Sequence, residues 1–501
     1  MLALVGLLAG CSASEDAPPA VEAAAAHQAE AALPALAGAP EVAAPRPATS
    51  GGAAAGPTHA APLPTRTFAD LLSETNDKPD PHAFGGADFG HPEHDDARLA
   101  ALGIRKISGP RLNVYTDLPQ GDVDDWPRVF AAAIPQWQAY FQLPADKLDA
   151  WRMTAYAIKD RALFDRAGLI PADLPEFQHG FQRAYELWVY DQPSDYYRRH
   201  LLLHEGTHGV MNTLLGGAGP PWYMEGMAEL LATHAWDGER LTLQVNPRDK
   251  NDVPYWGRVK LLRDDFDADR GMPLDSVLQY DNRAHQNVNA YAWCWAACLF
   301  LDGHPATQKA FRAMQSQTRL PIEDFNRRLQ EQLADVWPRV AYEQWFLFVQ
   351  SIEYGSQPTA SVVDYKPGEP PPAEGVMAEV DAARGWQSSG VRVAAGKKYY
   401  LQAAGRYTIA VDADGAPWPC EPGGVTLRYL NGRPLGELLA AVRTGEPEPG
   451  QTPSLALAAP VGLRNTYVPQ VDGTLYFRVN DSTAEMADNQ GTFRVHIRPL
   501  P

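Results

Sequence analysis

The chain has 501 residues, and its 43 Lys and Arg against 61 Asp and Glu give a formal net charge of −18. This length allows two or three domains at about 100–200 residues each, and 45% hydrophobic with 21% charged residues is typical of a globular protein. The acidic balance argues against a nucleic-acid partner, four cysteines are too few for a disulfide scaffold, and no apolar run after residue 10 approaches the roughly 20 residues that cross a bilayer.

The N-terminus has the pattern of an export signal. Residues 1–10 (MLALVGLLAG) form an apolar stretch too short to span a membrane, and Cys11 follows directly. Leu8 to Cys11 resembles the lipobox of bacterial lipoprotein signal peptides. The resemblance implies a lipid anchor on Cys11 that holds the protein at the bacterial cell envelope, in the periplasm or at the cell surface. The alternative is an ordinary apolar N-terminus with a chance cysteine.

Proline-rich stretches divide the rest of the chain. More than half of the residues between Cys11 and residue 65 are Ala or Pro, which predicts a disordered tether over 11–65. The run KPGEPPP predicts a Pro-rich linker over 361–378. Helical periodicity dominates 66–360, and short strand patterns dominate 379–501. We therefore expect an α+β fold in which a mostly helical domain is followed by an all-β sandwich.

The segment 197–215 (YRRHLLLHEGTHGVMNTLL) carries the first chemical motif. Its apolar spacing predicts a buried or amphipathic helix that stops at the glycines 216–217. Within it, His204 and His208 stand four residues apart and share one helical face, so both imidazoles can bind one metal ion. Glu205 follows the first histidine and can reach water at that metal.

A second helix is predicted after a Gly/Pro loop at 216–221. It covers 222–231 (WYMEGMAELL) and has a suitable length to pack against the first. Glu225 on this helix would supply a third, oxygen ligand and leave the fourth tetrahedral position open. Glu229 lies one turn later and is expected to accept a hydrogen bond from a ligand histidine.

HEGTH followed by WYMEGMAEL resembles the HExxH and W-x-x-EG-x-A-E motifs of the gluzincin zinc metallopeptidases, the clan that includes thermolysin. The closest resemblance is to the peptidase-MA-like group of bacterial extracytoplasmic proteins, over roughly 66–355. It implies a thermolysin-like domain, mostly helical with a small sheet before the zinc helix. It also implies that His204, His208 and Glu225 bind zinc and that Glu205 is the general base.

The mechanism also needs a donor that faces the developing oxyanion. Related aminopeptidases use a tyrosine about 60–70 residues beyond the glutamate ligand, and Tyr291 falls in that window at the start of an apolar helix. Tyr291 as an ordinary core residue is an equally good interpretation. His285 is a weaker candidate. We expect His200 to face a loop or solvent and His234 to be structural.

The C-terminal region is predicted to be a β-sandwich because short alternating stretches are separated by Gly, Asn and Asp. These stretches lie at 391–393, 398–405, 425–429, 475–479 and 492–497. Residues 479–493 resemble the calcium loop of the galactophilic PA-I type bacterial lectin. The resemblance implies a calcium site formed by Asp481, Asp488 and Asn489 with main-chain help near Glu485. Asx residues that only cap turns are the alternative.

These patterns together predict a lipid-anchored, zinc-dependent peptidase acting on peptide or protein substrates, with a C-terminal domain that contacts carbohydrate. The exopeptidase motif Gly-x-Met-Glu-Asn is absent from the sequence, which favours an endopeptidase. The alternative function is a catalytically inactive surface protein whose β-sandwich binds glycans or a protein partner. A self-processing or partner-specific protease would have the same sequence pattern as the first hypothesis.

Overall fold

The structure is a computed structural model that describes residues 91–281 and 288–501. The predicted signal peptide (1–10), Cys11, the tether to residue 65 and His285 lie outside these residues. The described chain is a mixture of helices and sheets followed by an all-β C-terminal region, which confirms this part of the predicted architecture. Within the described ranges, no helix is both long enough and apolar enough to cross a bilayer.

The first region carries twelve described α-helices and seven strands. The helices are α1 Asp96–Ala101, α2 Trp126–Phe141, α3 Ala145–Asp149, α4 Arg161–Ala167, α5 Asp195–Val210, α6 Pro221–Ala232, α7 Arg258–Asp267, α8 Leu274–Val277, α9 Val288–Gly303, α10 Gln308–Ala313, α11 Ile322–Gln332 and α12 Trp345–Gln350. The strands are β1 Arg105–Ser108, β2 Leu112–Thr116, β3 Met153–Ile158, β4 Gly180–Arg183, β5 Glu186–Tyr190, β6 His234–Trp236 and β7 Leu241–Leu243.

Five of these strands form one sheet that precedes α5. The order is β1-β2-β3-β5-β4, with β2, β3 and β5 parallel and with β1 and β4 antiparallel at the two edges. Every residue of the central strand β3 is buried, as expected for a parallel strand covered on both faces. Strands β4 and β5 both pack on α5, and β4 is the outermost strand on that side of the sheet within the described residues.

The sequence around α5 explains where this helix begins and ends. Ser194 is its N-cap, and the Ser194 hydroxyl accepts a hydrogen bond from the Tyr197 N–H at 3.1 Å. After Val210 the chain makes a π-helical turn over Met211–Leu215 and stops at Gly216, whose φ of 79° suits glycine. The predicted helix over 197–215 is therefore observed as α5 plus this terminal turn.

Helix α6 packs between α5 and α9. It begins with Pro221 at its first position, where the missing N–H costs nothing. Gly226 allows the close approach to α9, because a Cβ atom there would lie 2.5 Å from the carbonyl oxygen of Cys294 and against the sulfur of Cys298. Gly226, the residue next to Glu225, thus allows α6 to pack closely against α9.

The C-terminal region consists of antiparallel strands. They are β8 Val376–Asp381, β9 Gln387–Val393, β10 Tyr399–Ala404, β11 Tyr407–Val411, β12 Pro417–Cys420, β13 Gly423–Leu430, β14 Arg433–Arg443, β15 Ala459–Pro460, β16 Arg464–Tyr467, β17 Gly473–Val479 and β18 Thr492–Pro499. One sheet has the order β16-β10-β18-β8, a second has β13-β14-β17-β9 with β15 beside β14, and β11 pairs with β12. Apolar side chains of both larger sheets form one core, as in a sandwich.

Polar and apolar contacts join the two regions. The Arg443 guanidinium of β14 lies 3.0 Å from a carboxylate oxygen of Glu343, and both side chains are almost fully buried. The hydroxyls of Ser356 and Thr483 are 2.8 Å apart. The predicted linker, 361–378, runs beside β9, where it forms isolated parallel bridges from residues 364 and 369.

Candidate metal centre

Three side chains from α5 and α6 meet at one point. His204 and His208 project from the same face of α5, and their Nε2 atoms are 3.1 Å apart. Glu225 comes from α6, and its Oε2 lies 3.2 Å from His204 Nε2 and 3.5 Å from His208 Nε2. All three side chains are buried. They form a His-His-Glu group that could bind a metal ion.

These separations fit a single small divalent cation. Zinc ligands lie about 2.0–2.1 Å from the metal, and two corners of a tetrahedron of that radius are about 3.3 Å apart. The observed distances of 3.1, 3.2 and 3.5 Å lie on either side of this value. Glu225 Oε2 is buried yet accepts no well-oriented hydrogen bond from the described residues, an arrangement that is costly without a cation.

The charge state of Glu225 suits a ligand. Burial on its own would raise the pKa of this carboxyl, but His208 and His204 outweigh burial and hold the pKa well below its ordinary value. The side chain is therefore an anion at neutral pH. One carboxylate and two imidazoles are the donor set of catalytic zinc sites, which keep a fourth position for water or substrate.

Glu229, for which the sequence predicts a hydrogen bond from a ligand histidine, lies close to His204. Its Oε1 lies 3.5 Å from His204 Nδ1, the ring nitrogen that faces away from Glu225. Arg258 donates hydrogen bonds to the same carboxylate from Nη2 at 2.9 Å and from Nε at 3.1 Å. The Trp256 indole N–H also donates a hydrogen bond to it at 3.1 Å. Burial opposes ionisation of Glu229, but Arg258 leads the groups that hold its pKa well below the ordinary value. Such a partner fixes the orientation of a ligand histidine.

His200 corrects the expectation that this histidine faces a loop or solvent. It is fully buried, with Nδ1 3.2 Å from the Ala232 carbonyl oxygen and Nε2 3.4 Å from Glu229 Oε2. The reason is that the end of α6 and the segment before α7 cover this face of α5. His200, His204 and Glu229 form a second group of three ligand atoms, but Arg258 already occupies the Glu229 carboxylate. His234 stacks on the Tyr196 ring at 4.5 Å, a packing role.

Glu205 lies one residue beyond His204 and is buried against the sheet edge. Its neighbour there is Gly180, the first residue of β4. A Cβ atom at position 180 would overlap Glu205 Oε1 and would lie 3.0 Å from its Cδ. The absence of a side chain at Gly180 therefore makes room for the Glu205 carboxylate.

Tyr291 lies beside the metal group, on α9. Its ring centroid is 6.1 Å from that of His204, and the Arg258 guanidinium carbon is 5.6 Å from the Tyr291 ring centroid. Burial raises the pKa of Tyr291 well above its ordinary value, and the nearby Glu225 and Glu205 carboxylates raise it further. The phenol therefore keeps its proton at neutral pH and remains a hydrogen-bond donor.

Sequence reasoning missed three residues of this site: Gly180, Trp256 and Arg258. Arg258 is almost fully buried, which is rare for arginine unless it has an acidic partner. It stands 29 residues beyond Glu229 at the start of α7, outside any local motif. No periodicity connects such distant positions, so only the three-dimensional fold reveals their contact.

Two of the three candidate calcium residues, Asp481 and Asn489, are in contact. Asp481 Oδ2 accepts a hydrogen bond from Asn489 Nδ2 at 2.7 Å, and Asp488 Oδ2 accepts one from the Val411 N–H at 3.4 Å. Asp488 Oδ1 and Asn489 Oδ1 are buried and accept no hydrogen bond within the described chain. Burial raises the pKa of Asp481 to about 6. These oxygens are of the kind that calcium prefers.

The chain was compared with family models, curated proteins and solved structures. No family model matches the chain, and no curated protein matches it. Among solved structures, the EclA N-terminal domain, a PllA-like lectin, is 22% identical, and the match covers 25% of this chain and 98% of that chain with a TM-score of 0.19.

Two structures of one metallopeptidase are also similar to the chain. IMPa from Pseudomonas aeruginosa in complex with an O-glycopeptide is 14% identical, and the match covers 71% of this chain with a TM-score of 0.15. The IMPa metallopeptidase alone is 13% identical with the same coverage and TM-score. The match spans 38% of the length of either IMPa chain. These similarities are too weak to assign a family or a function.

Proposed function

We propose that the protein is a zinc-dependent endopeptidase of the gluzincin type with a thermolysin-like catalytic region. One observation carries the proposal: two imidazole nitrogens and one carboxylate oxygen lie 3.1–3.5 Å from one another in a buried group. His204, His208 and Glu225 would hold the metal. Bound zinc would supply a Lewis acid that brings the pKa of water to about 7 and polarises a carbonyl.

The surrounding residues have roles that follow from their contacts. Glu205 acts as the general base, which takes a proton from the attacking water and passes it to the leaving amine. Tyr291, protonated at neutral pH, donates a hydrogen bond to the oxyanion that develops on the substrate. Glu229, fixed by Arg258, keeps the His204 ring in its orientation.

We infer that an extended peptide binds along β4, the outermost strand of this sheet in the described residues. This strand pairs with β5, and both strands pack on α5. A peptide that adds to such an edge makes main-chain hydrogen bonds that do not depend on its sequence. Because Gly180 begins this strand next to Glu205, a peptide bound there would run past the general base.

Zinc content and casein hydrolysis test the proposal together. The purified protein should contain one zinc per chain and cleave casein, and Glu205→Gln should keep the zinc and lose at least about 100-fold in rate. Glu239→Gln, at an exposed loop position, is the matched control and should behave as the wild type. Full activity of the Glu205→Gln protein with zinc retained would refute the role of Glu205. A zinc-loaded wild type that cleaves no substrate would favour the inactive binding protein.

We also propose that the C-terminal region binds calcium, and carbohydrate through it. The buried Asp488 Oδ1 and Asn489 Oδ1, which accept no hydrogen bond from the described residues, support this proposal. Calcium should raise the melting temperature of the wild type but not of Asp488→Ala. A glycan array without any calcium-dependent binding would contradict the carbohydrate part.

We infer a location at the bacterial cell envelope from the lipobox-like sequence before Cys11. In cells fed an alkyne-labelled fatty acid, the wild type should incorporate the label and Cys11→Ala should not. Equal labelling of both proteins, or no labelling of either, would contradict the anchor.

A further inference from the structure

A cavity of about 700 Å³ lies between the first region and the C-terminal sheets. This volume is in the range of small-molecule sites, which measure about 300–1,000 Å³. Helix α7 contributes Val259 and Arg263 to one wall, and the C-terminal region contributes Trp386 and Leu455 to the others. The cavity is separate from the His-His-Glu group, so ligand binding in it does not depend on the proposed peptidase activity.

Basic side chains outnumber acidic ones in this cavity. The basic residues are Lys260, Arg263, Arg433 and Arg478, and the acidic residues are Glu353 and Asp481. Glu353 Oε1 accepts a hydrogen bond from the Ser482 hydroxyl. Asp481 accepts two hydrogen bonds at 2.7 Å, from Asn489 Nδ2 and from the Ser482 N–H. Both acidic groups thus accept hydrogen bonds from neighbours within the protein, and the lining holds four basic residues against two acidic ones.

Two of the four basic residues have acidic partners on their own helix. Lys260 pairs with Asp264, and Arg263 lies 3.7 Å from a carboxylate oxygen of Asp267. The other two basic residues, on β14 and β17, have no carboxylate oxygen within 4 Å anywhere in residues 91–281 and 288–501. Arg433 and Arg478 therefore differ from Lys260 and Arg263, which have carboxylate partners.

Arg433 and Arg478 make hydrogen bonds to main-chain carbonyl groups instead. Arg433 Nη2 donates to the Ala458 oxygen at 3.0 Å, while its Nη1 is buried without an acceptor in the described chain. Arg478 donates to the Val479 and Asp481 oxygens at 3.2 and 3.0 Å. Burial lowers the pKa of Arg478 and outweighs the nearby Asp481 carboxylate, which raises it. Guanidinium groups removed from water normally face a carboxylate or phosphate.

We propose that this cavity binds a small organic anion whose carboxylate, sulfate or phosphate group lies against Arg433 and Arg478. The guanidinium fork matches the planar arrangement of oxygens in such groups. The Trp386 indole and the Leu455 side chain provide an apolar wall for the carbon part of the ligand. The volume accommodates a molecule of one or two sugar rings.

Calorimetric titration with two sugars that differ only at C6, a carboxylate in one and a CH2OH group in the other, tests this inference. If the ligand is a carboxylate, D-glucuronate should bind with a Kd at least about tenfold lower than that of D-glucose, since charge-assisted hydrogen bonds are stronger than neutral ones. Sodium sulfate and D-glucose 6-phosphate, titrated at equal ionic strength, distinguish a carboxylate ligand from a sulfate or phosphate ligand. At least one of the three anions should bind.

Matched variants locate the binding. Arg433→Met and Arg478→Met should each weaken anion binding about tenfold or more, and Arg392→Met, at an exposed position of β9, should leave it unchanged. If Arg478→Met fails to fold, anion binding by the Arg433→Met protein is sufficient to test the proposal. If none of the three anions binds more tightly than glucose, or if anion binding is unchanged in the Arg433→Met protein, the proposal is overturned.

Discussion

Replacement of Gly180 by alanine should impair the general base without removing the metal. The residue lies at the start of β4, and its backbone is outside the left-handed region, so alanine fits the main chain there. The added Cβ would overlap Glu205 Oε1 and would lie 3.0 Å from Glu205 Cδ. The three atoms nearest to this Cβ all belong to Glu205.

The size of the effect follows from the displacement of the carboxylate. Ordinary contacts of a Cβ atom begin at 3.4 Å, so the Glu205 Cδ must withdraw by at least 0.4 Å, and Oε1, which is nearer, must move further. A misplacement of about 1 Å costs roughly 100-fold in rate. We therefore expect Gly180→Ala to lower kcat about tenfold to 100-fold, or about 1.4–2.7 kcal/mol in activation free energy.

Steady-state kinetics on a fluorogenic peptide, with zinc content measured on the same preparation, provide the assay. Zinc per chain and melting temperature should stay at the wild-type values because the moved atoms belong to one flexible side chain. Gly445→Ala is the matched control, since a Cβ atom there meets nothing within 4 Å. An unchanged kcat in the Gly180→Ala protein would refute the placement of Glu205 as the base, and loss of zinc would show that the substitution reaches the ligands.

Three further predictions concern the framework of the site. Gly226→Ala should lower the free energy of unfolding by about 1–3 kcal/mol in chemical denaturation, because the Cys294 carbonyl oxygen lies 2.5 Å from the new Cβ and belongs to the backbone of α9; an unchanged value would contradict the tight packing of α6. Arg258→Lys should weaken zinc affinity about tenfold in chelator competition, because a lysine cannot donate two parallel hydrogen bonds to the Glu229 carboxylate. A wild-type zinc affinity in this variant would contradict the role of Glu229 in orienting His204. Burial opposes ionisation of Asp265, but hydrogen bonds from neighbouring side chains outweigh it and hold its pKa below the ordinary 3.8. Its ionised form therefore stabilises the fold above that pH, and the stability is lost as the pH falls through the lowered pKa. Asp265→Asn should accordingly be more destabilising at pH 7 than at pH 3, and an equal effect at both values would contradict this.

The local parts of the metal centre could be predicted from sequence because helical spacing determines which side chains share a face. The motif HEGTH places two histidines on one side of a helix wherever that helix lies. The helix predicted over 222–231 is observed at Pro221–Ala232. Glu225 then meets the histidines because the short Gly/Pro loop allows α6 to fold back onto α5.

The rest of the site depends on contacts between distant parts of the chain. The sequence could not identify the sheet edge, because strand order depends on non-local pairing, and β4 lies outside β5 only in the folded sheet. The burial of His200 was misjudged for the same reason, since the segment that covers it, including Trp256 and Arg258, comes more than 50 residues later. The apolar spacing of a segment predicts which face of its own helix is buried, but it does not predict which distant segments pack against that helix.

The most direct test of the proposed metal centre is the anomalous scattering of crystals of the purified protein at the zinc absorption edge. We expect one strong peak within about 2.0–2.2 Å of His204 Nε2, His208 Nε2 and a Glu225 oxygen. A map without a peak among these three atoms, or with Glu225 turned away from a metal bound elsewhere, would contradict the proposed centre.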